Sequence, residues 1–383
     1  MSLRIIPVTL SLLLLALFYS CSGDDDGTPS ASAPNEGVPS IAWKSQINGL
    51  QGMDVEINHD GELFVVGDYT GNPGVDGLQS VSVGLRNGFL IQYDQAGVIE
   101  HTMNLGLQVF HDLNYMDFLP NGNPVVSGKD VDFQNVMYLE LHPSSNTQVS
   151  ANSIQGSGND KPAGIAIDND GNIILGGIYN GTVQLLTGET YLGNILGSAA
   201  VVKFSPAGEL LWLFPSPIAT SSGLRGVDVD NDGNVFCYEC ANDLIYLRKL
   251  SPQGELIYTK EDLGACGYGL EVVSSSEIYL NTVSDVLRLD EDGNIKWTFE
   301  TSTQLLDIAV GNEEIVVAGH NFSGGNFGTI EGLVRTDNFL GALTTSGKAK
   351  WVSTETTASR VSINASGKIG FGNPALGTLG VLE

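Results

Sequence analysis

A-G-I-A-I-D-N-D-G-N-I-I-L-G-G-I-Y-N-G-T runs from Ala163 to Thr182, and S-A-A-V-V-K-F-S-P-A-G-E-L-L-W-L-F runs from Ser198 to Phe214. The pattern indicates an apolar strand, a D-G-N turn, a second strand, a loop, a third strand, a Pro-Ala-Gly turn and a fourth strand that carries Trp212. Asp-Gly between apolar runs is a strong hairpin signal, because glycine adopts positive φ without steric cost. The segment therefore predicts a four-stranded antiparallel unit.

Weaker copies of this unit fill the rest of the chain. The first turn recurs at Gly61, Gly122, Gly171, Gly233, Gly311 and Gly367. The second turn recurs at Gly97, Gly208, Gly254, Gly293 and Gly347, and the residues four positions later are His101, Trp212, Tyr258, Trp297 and Trp351. Four-stranded units repeated at roughly 40–50 residues are typical of a β-propeller, whose blades stack to bury their faces. We interpret the tryptophan position as packing between neighbouring sheets.

The two ends of the repeat region predict one shared blade. The segment Ile41 to Ile47 contains Trp43 and has the pattern of a fourth strand that lacks its first three. Three strands without a fourth are predicted at the C-terminus, over Ser359 to Ala365, Lys368 to Gly372 and Gly377 to Leu382. We therefore predict an all-β fold over residues 41–383: a seven-bladed β-propeller of four-stranded antiparallel blades, closed by an N-terminal strand.

The repeat resembles a known bacterial family. The runs G-N-I-I-L-G-G-I-Y-N-G-T, A-A-V-V-K-F-S-P-A-G-E-L-L-W and G-E-L-F-V-V-G-D-Y-T-G resemble the bacterial seven-bladed β-propeller (SBBP) repeat. The resemblance implies the fold and an extracytoplasmic setting, but no single activity and no catalytic residues. The Gly-x-x-x-Trp pattern also resembles the repeats of quinone-dependent dehydrogenases, but the sequence has no cluster that matches their cofactor site. We expect no cofactor.

Residues 1–20 are predicted to be a lipoprotein signal peptide. Arg4 is followed by an apolar run from Ile5 to Phe18, which is shorter than the about 20 residues of a spanning helix. Ser20-Cys21 resembles a bacterial lipoprotein cleavage site, so Cys21 is the predicted lipidation site. An ordinary signal peptide followed by a stray cysteine is the alternative.

Residues 21–40 are predicted to be a flexible acidic, Pro- and Ser-rich tether. Ser22 to Asp26 resembles the signal that exports lipoproteins to the cell surface in one Gram-negative phylum, although a solvated linker would have the same composition. The predicted location is therefore the outer membrane, with a lipid anchor and exposure at the cell surface.

The net charge of the chain is −27, with 17 Lys and Arg residues. Lys and Arg contacts with phosphate supply most of the affinity for nucleic acid, so the sequence disfavours that class of partner. Anionic headgroups would repel the chain, so the lipid is expected to make the membrane contact. We expect a monomer.

Besides the predicted lipidation site Cys21, the chain contains Cys237, Cys240 and Cys266. The C-x-x-C pair lies on or next to a predicted strand, where residues i and i+3 face opposite sides, so a redox pair is disfavoured. The sequence allows a disulfide from Cys237 or Cys240 to Cys266, and it disfavours a zinc site. The D-x-D-G-N segments at Asp168 and Asp230 are interpreted as hairpin turns, because neither has the twelfth-position Glu of a calcium loop.

Aspartates recur near the innermost predicted strands, at Asp54, Asp117, Asp228 and Asp307. Carboxylates from different blades could form a hydrolase site at the axis. Their recurrence at one position of the repeat favours a structural role instead. No G-x-S-x-G or H-E-x-x-H motif is present, so we expect no enzymatic activity.

The connections between second and third strands are long at Asp68 to Arg86, Ile178 to Gly197 and His320 to Asn338. They contain the candidate ligand-binding residues Tyr69, Tyr179, Tyr191, Phe322 and Phe327. Aromatic rings beside Asn and Asp suit contact with sugars or peptides, although the rings could instead pack within their own loops. The sequence favours a non-enzymatic surface lipoprotein that binds a glycan or protein. An envelope-assembly scaffold and a propeller hydrolase are the alternatives.

Overall fold

The structure is a computed structural model. It describes residues 37–82, 85–107, 110–130, 135–155, 160–180, 182–185, 190–192, 198–218, 222–321, 325–333 and 338–383. These residues belong to one compact unit, Asn35–Glu383. Within the described ranges, no helix has the length and apolar character needed to cross a membrane.

The strands of the described residues group into seven four-stranded antiparallel units, which we call blades 1 to 7. The first strand, β1 (Ile41–Gln46), belongs to blade 7. Blade 1 consists of β2 (Leu50–Ile57), β3 (Leu63–Tyr69), β4 (Asn87–Tyr93) and β5 (Ile99–Leu107). Blade 2 consists of β6 (Phe110–Phe118), β7 (Pro124–Asp130), β8 (Val136–His142) and β9 (Thr147–Gln155), with a 3-10 turn at Pro143–Ser145. Blade 3 consists of β10 (Lys161–Ile167), β11 (Ile173–Tyr179), β14 (Ser198–Phe204) and β15 (Leu210–Pro215), and its insertion holds β12 (Thr182–Leu185) and β13 (Thr190–Leu192).

Blades 4 and 5 share one long strand, β19 (Leu256–Ser274), whose first half pairs in blade 4 and whose second half pairs in blade 5. Blade 4 also contains β16 (Ser222–Val229), β17 (Val235–Ala241) and β18 (Leu244–Leu250). Blade 5 continues with β20 (Glu277–Thr282), β21 (Asp285–Leu289) and β22 (Ile295–Glu300). Blade 6 consists of β23 (Gln304–Val310), β24 (Glu314–His320), β27 (Asn338–Thr344) and β28 (Ala349–Ser353), and its insertion holds β25 (Gly325–Phe327) and β26 (Ile330–Leu333). Blade 7 consists of β29 (Arg360–Ile363), β30 (Ile369–Asn373), β31 (Thr378–Leu382) and β1.

The predicted closure by the N-terminal strand is confirmed. β1 pairs antiparallel with β31, and Trp43 lies opposite Val381. Ser40 and Glu383 exchange two backbone hydrogen bonds of 3.0 Å. The innermost strands β2, β6, β10, β16, β19, β23 and β29 contact one another in that order, and β29 contacts β2. The chain therefore forms a closed all-β propeller.

The propeller has two unlike faces. Successive strands run in opposite directions, so the turns between first and second and between third and fourth strands lie on one face, the turn face. The connections between second and third strands, and the crossings between blades, lie on the other face, the loop face. As predicted, the long insertions lie between β3 and β4, between β11 and β14, and between β24 and β27. In the second of these, β12 pairs with β9 and so extends blade 2.

The D-x-D-G-N segments are hairpin turns, as interpreted from the sequence. Oδ1 of Asp168 accepts hydrogen bonds from the backbone N–H groups of Asp170 at 3.0 Å and Asn172 at 2.9 Å. Its Oδ2 pairs with Lys203 at 2.8 Å. The pKa of Asp168 lies below its usual value, because the bonds from Lys203 and Asn172 outweigh the effect of burial. This carboxylate stabilises its own turn.

The tryptophan position packs between neighbouring blades, as interpreted. The ring of Trp43 in blade 7 covers Gly97 of blade 1, where an added Cβ would lie 2.5 Å from the ring. Trp212 covers Gly254 of the next blade in the same way, and Trp297 covers Gly347. Glycine in the second turn therefore serves two purposes: it adopts positive φ, and it leaves room for the neighbouring ring.

The cysteines resolve the pairing that the sequence left open. Cys240 and Cys266 form a disulfide between β17 and the middle of β19. Cys237 is a buried free thiol, and burial raises its pKa to about 12. The C-x-x-C segment therefore does not form a disulfide within itself.

Candidate functional site

Two positions on each innermost strand form rings around the propeller axis. The upper ring, nearer the loop face, consists of Asp54, Tyr115, Gly164, Gly226, Gly269, Asp307 and Arg360. The lower ring, two residues further along each strand, consists of Glu56, Asp117, Ala166, Asp228, Glu271, Ala309 and Ser362. Residues two apart on a strand lie on the same side, and the upper ring together with the four acidic residues of the lower ring lines one axial cavity.

Aspartates of both rings join neighbouring blades by accepting backbone hydrogen bonds. The pairs across blade junctions are Asp54 with the N–H of Met116 (2.9 Å), Asp117 with Ile167 (2.7 Å), Asp228 with Val272 (2.6 Å) and Asp307 with Val361 (3.0 Å). Each of these carboxylates also accepts the N–H of the next residue in its own strand. This is the structural role that the recurrence of these aspartates favoured.

Other blade junctions use different residues for the same purpose. The hydroxyl of Ser362 in blade 7 accepts the N–H of Ile57 in blade 1 at 2.9 Å. A Cβ added at Gly164 would lie 2.9 Å from the backbone nitrogen of Val227, and one at Gly269 would lie 2.5 Å from the side chain of Ile308. At these two junctions, the missing side chain lets the next blade approach.

Glu56 and Glu271 occupy the lower ring without forming such a junction. Glutamate is one methylene longer than aspartate, so its carboxylate reaches past the neighbouring backbone. Within the described residues, neither carboxylate has a hydrogen-bond partner, and both line the axial cavity. They are therefore the acidic groups of the rings that the fold leaves unused.

The axial cavity has a volume of about 630 Å³. Its walls include the upper ring, the four acidic residues of the lower ring and, towards the loop face, Asn114, Lys161, Arg225 and Tyr268. The register of the inner strands shifts near these residues, for example between Leu224 and Gly226. Such bulges redirect side chains, and here they bring Arg225 and Tyr268 to the mouth of the cavity.

The mouth presents an aromatic ring beside cationic side chains. Tyr268 is 44% exposed. The guanidinium of Arg225 lies 5.4 Å from the centroid of the Tyr268 ring, within the range of a cation–π contact. Lys161 is exposed at the start of β10. These groups offer a ligand a flat apolar surface next to hydrogen-bond donors.

Burial raises the pKa values of the carboxyl groups around the axis. Burial, opposed by Arg360, raises the pKa of Asp54 to about 7. Burial likewise raises the pKa of Asp228 to about 7 and that of Asp117 to about 6, although both accept backbone hydrogen bonds. The pKa of Glu271 is raised well above its usual value by burial and then by the charge of Asp228.

Arg360 is the cation of the upper ring. Burial alone would lower its pKa, but the charges of Asp307 and Asp54 raise it. In return, Arg360 lowers the pKa values of these two aspartates against the effect of burial. Among the described residues, no group of three or more His, Cys, Asp or Glu side chains could hold a metal ion.

Three of the expected ligand-binding aromatics are buried in the propeller. Tyr69 is 0% exposed, and its hydroxyl donates to the carbonyl of Gln79 at 2.7 Å. Tyr179 is 1% exposed within a hydrophobic cluster. Phe327 is 0% exposed and packs edge-on against Phe299 at 4.9 Å.

The expectation that Tyr69, Tyr179 and Phe327 project from loops therefore needs correction. Each is the last residue of a strand, where its ring packs against neighbouring strands instead of facing solvent. Tyr191 lies in β13, but its side chain is outside the described part of the structure. Phe322 and Cys21 also lie outside the described residues, so the roles predicted for these three positions stay predictions.

Sequence reasoning missed Glu56, Glu271, Arg225, Tyr268 and Arg360. The sequence did contain a signal for Glu56, Glu271 and Arg360. When the repeat units are aligned on the first turn, these residues stand where other units have Asp, Gly or Ala. Arg225 and Tyr268 had no such signal, since their direction depends on bulges in the folded strands.

No protein-family model matches the chain. In an alignment of 174 residues that covers 42% of the chain, it is 31% identical to "Uncharacterized WD repeat-containing protein L264" of Acanthamoeba polyphaga mimivirus, and the match spans 11% of that protein. The fold is similar to that in "The crystal structure of BamB from Moraxella catarrhalis", with a TM-score of 0.49 and 10% identity, over 90% of this chain and 100% of that one. A likeness at this level supports no argument about function.

Proposed function

We propose that this chain is a non-enzymatic binding protein of the cell envelope. In this proposal, a lipid on Cys21 anchors it at the outer membrane with the propeller at the cell surface, and the loop face binds a glycan or protein partner. The mouth of the axial cavity carries the proposal, because it places an exposed tyrosine beside Arg225 and Lys161 on that face. Cavities with a few oriented polar groups and aromatic surface are typical of binding sites.

The hydrogen bonds of the inner aspartates favour binding over hydrolysis. A general acid or base must be free to exchange a proton with the substrate. Asp54, Asp117, Asp228 and Asp307 each accept backbone N–H groups that hold the blades together. Using them for catalysis would disrupt those junctions.

The anchor is tested by changing the predicted lipidation site. In Cys21→Ser, we expect the protein to be released or to retain its signal peptide, because the thiol that would carry the lipid is gone. Metabolic labelling with a radioactive fatty acid provides the measurement. Label that persists in Cys21→Ser would contradict the proposal, and Cys237→Ser is the control that should keep its label.

The binding site is tested by removing the exposed ring at the cavity mouth. We expect Tyr268→Ala to fold normally, because the ring packs only partly, and to lose about tenfold or more in affinity, as for an aromatic anchor in an interface. The wild type is first screened on a glycan array and against outer-membrane extracts. The variant is then compared by calorimetry, with circular dichroism to verify its fold.

Ile257→Ala is the matched control, since Ile257 is 52% exposed on the outer strand of blade 4 and does not line the cavity. Equal binding by Tyr268→Ala and the wild type would place the site elsewhere. Binding that is confined to envelope proteins would favour the scaffold alternative over glycan recognition.

A further inference from the structure

The strongest unexplained feature of the molecule is the axial cavity with its unpaired glutamates. We propose that this cavity receives one organic cation, the side chain of a lysine or arginine of a partner protein, which enters from the loop face and pairs with Glu271. The inference deepens the proposed function and depends on its loop-face site. The inference is based on the uneven distribution of side chains around the upper and lower rings.

The upper ring is filled on one side and open on the other. Blades 6, 7, 1 and 2 contribute Asp307, Arg360, Asp54 and Tyr115. Blades 3, 4 and 5 contribute only glycines, Gly164, Gly226 and Gly269. A Cβ added at Gly226 would meet a single atom, the Cβ of Leu270 at 3.4 Å, so space remains beside it. The open part of the cavity therefore lies beside Gly226 of blade 4, since the next blade fills the place of a Cβ at Gly164 and at Gly269.

Below this open side, the lower ring presents carboxyl groups without a cation. Asp228 and Glu271 come from blades 4 and 5. The charges that act on Glu271 are those of Asp228, Asp307, Asp117 and Asp54, and all of them disfavour its ionised form. The charge of Glu271 also helps to raise the pKa of Glu56, after the effects of burial and of Asp54. Arg225 and Lys161 are at the mouth, and Arg360 interacts with Asp54 and Asp307.

The filled side shows which kind of group fits the empty side. The charges of Asp307 and Asp54 raise the pKa of Arg360 and so stabilise its charged form. The cavity already accommodates one organic cation on a flexible stem, and the open side has the carboxyl groups for a second. A metal ion fits poorly, because no three carboxylates of the described residues converge as ligands. A side chain with several N–H donors can reach carboxylates that are further apart.

Paired peptides test the charge requirement. The probe is acetyl-Gly-Gly-Lys-Gly-Gly-amide, and its uncharged counterpart has norleucine in place of lysine. We expect calorimetry with the purified protein to show at least about tenfold tighter binding of the lysine peptide, because only its ammonium can pair with Glu271. Glu271→Gln should abolish that difference, while Glu209→Gln on the turn face should preserve it. An arginine peptide extends the comparison.

Proton release on binding distinguishes a Glu271 that pairs with the ligand from one that only supports the fold. Burial and the surrounding carboxylates raise the pKa of Glu271, so this group must lose a proton before it pairs with a cation. Affinity for the lysine peptide should therefore rise as the pH is raised above the usual titration range of a glutamate, and binding should release a proton. Calorimetry in buffers of different ionisation enthalpy measures that proton. Glu271→Gln should release none.

Equal binding of the lysine and norleucine peptides would overturn the inference, as would unchanged lysine selectivity in Glu271→Gln. Its failure is distinguishable from failure of the proposed function. If Tyr268→Ala loses binding to the ligand found in the screen while the lysine and norleucine peptides bind equally, the loop-face site stands and the cation inference is wrong. If neither variant changes any binding, both fail.

Discussion

A chain that lacks residues 40–48 should fail to form a stable monomer. The deletion removes β1, which provides the fourth strand of blade 7 and the backbone hydrogen bonds from Ile47 to Gly377 and between Ser40 and Glu383. The edge of β31 would then be exposed, and an unpaired edge strand promotes aggregation. We expect aggregation in size-exclusion chromatography and loss of the cooperative thermal transition.

The substitution Trp43→Ala tests the same closure while keeping β1 in place. Trp43 packs over Gly97 and lies 5.1 Å from the ring of Tyr93, so Trp43→Ala leaves a gap between blades 7 and 1. We expect a loss of about 3 kcal/mol in the free energy of unfolding, the lower end for such changes because the ring is partly exposed. Ile41→Ala, in the same strand but 40% exposed, is the control that should change stability little. A melting temperature unaffected by Trp43→Ala would show that the ring does not hold the blades together.

Replacing an aspartate that joins neighbouring blades should also strongly lower the free energy of unfolding. Asp117→Ala leaves the backbone N–H groups of Phe118 and Ile167 without their acceptor. A buried donor without a partner costs about 1–3 kcal/mol, so the two together should lower the free energy of unfolding by about 2–6 kcal/mol. Chemical denaturation measures this loss. Asp170→Ala, on an exposed turn, is the control, and Asp117→Asn should fall between it and Asp117→Ala because one acceptor oxygen remains.

The stability that is lost in Asp117→Ala should become smaller as the pH rises. Burial raises the folded-state pKa of Asp117 to about 6, above its value of about 3.9 in an unfolded chain. The native state then binds more protons than the unfolded state between these values, so the stabilising contribution of this group falls as the pH rises through about 6. The difference between wild type and Asp117→Ala should be larger near about pH 4.5 than near about pH 8. A difference that grew with pH would contradict the assigned environment.

The fold could be predicted because its signals are local. A hairpin turn depends on a few neighbouring residues, so D-N-D-G-N predicts the turn at Gly171 wherever that segment lies in the chain. The repeated Gly-x-x-x-Trp spacing located the outer strands, and the unmatched Trp43 indicated that the N-terminal strand closes the last blade. The recurrence of aspartates on the inner strands favoured their structural role for the same reason.

The site depended on information that no single segment contains. The cavity collects residues from all seven inner strands, and bulges decide whether a residue such as Tyr268 faces the mouth. Tyr69 and Tyr179 stand where an apolar segment meets a polar loop, so sequence alone could not tell whether each ends the strand or begins the loop. Likewise, only the fold brings Cys240, and not Cys237, next to Cys266. The sequence therefore determined the repeat, its turns and its closure through short-range steric preferences, whereas the tertiary structure decided which side chains face the axis, because that depends on the packing of distant strands.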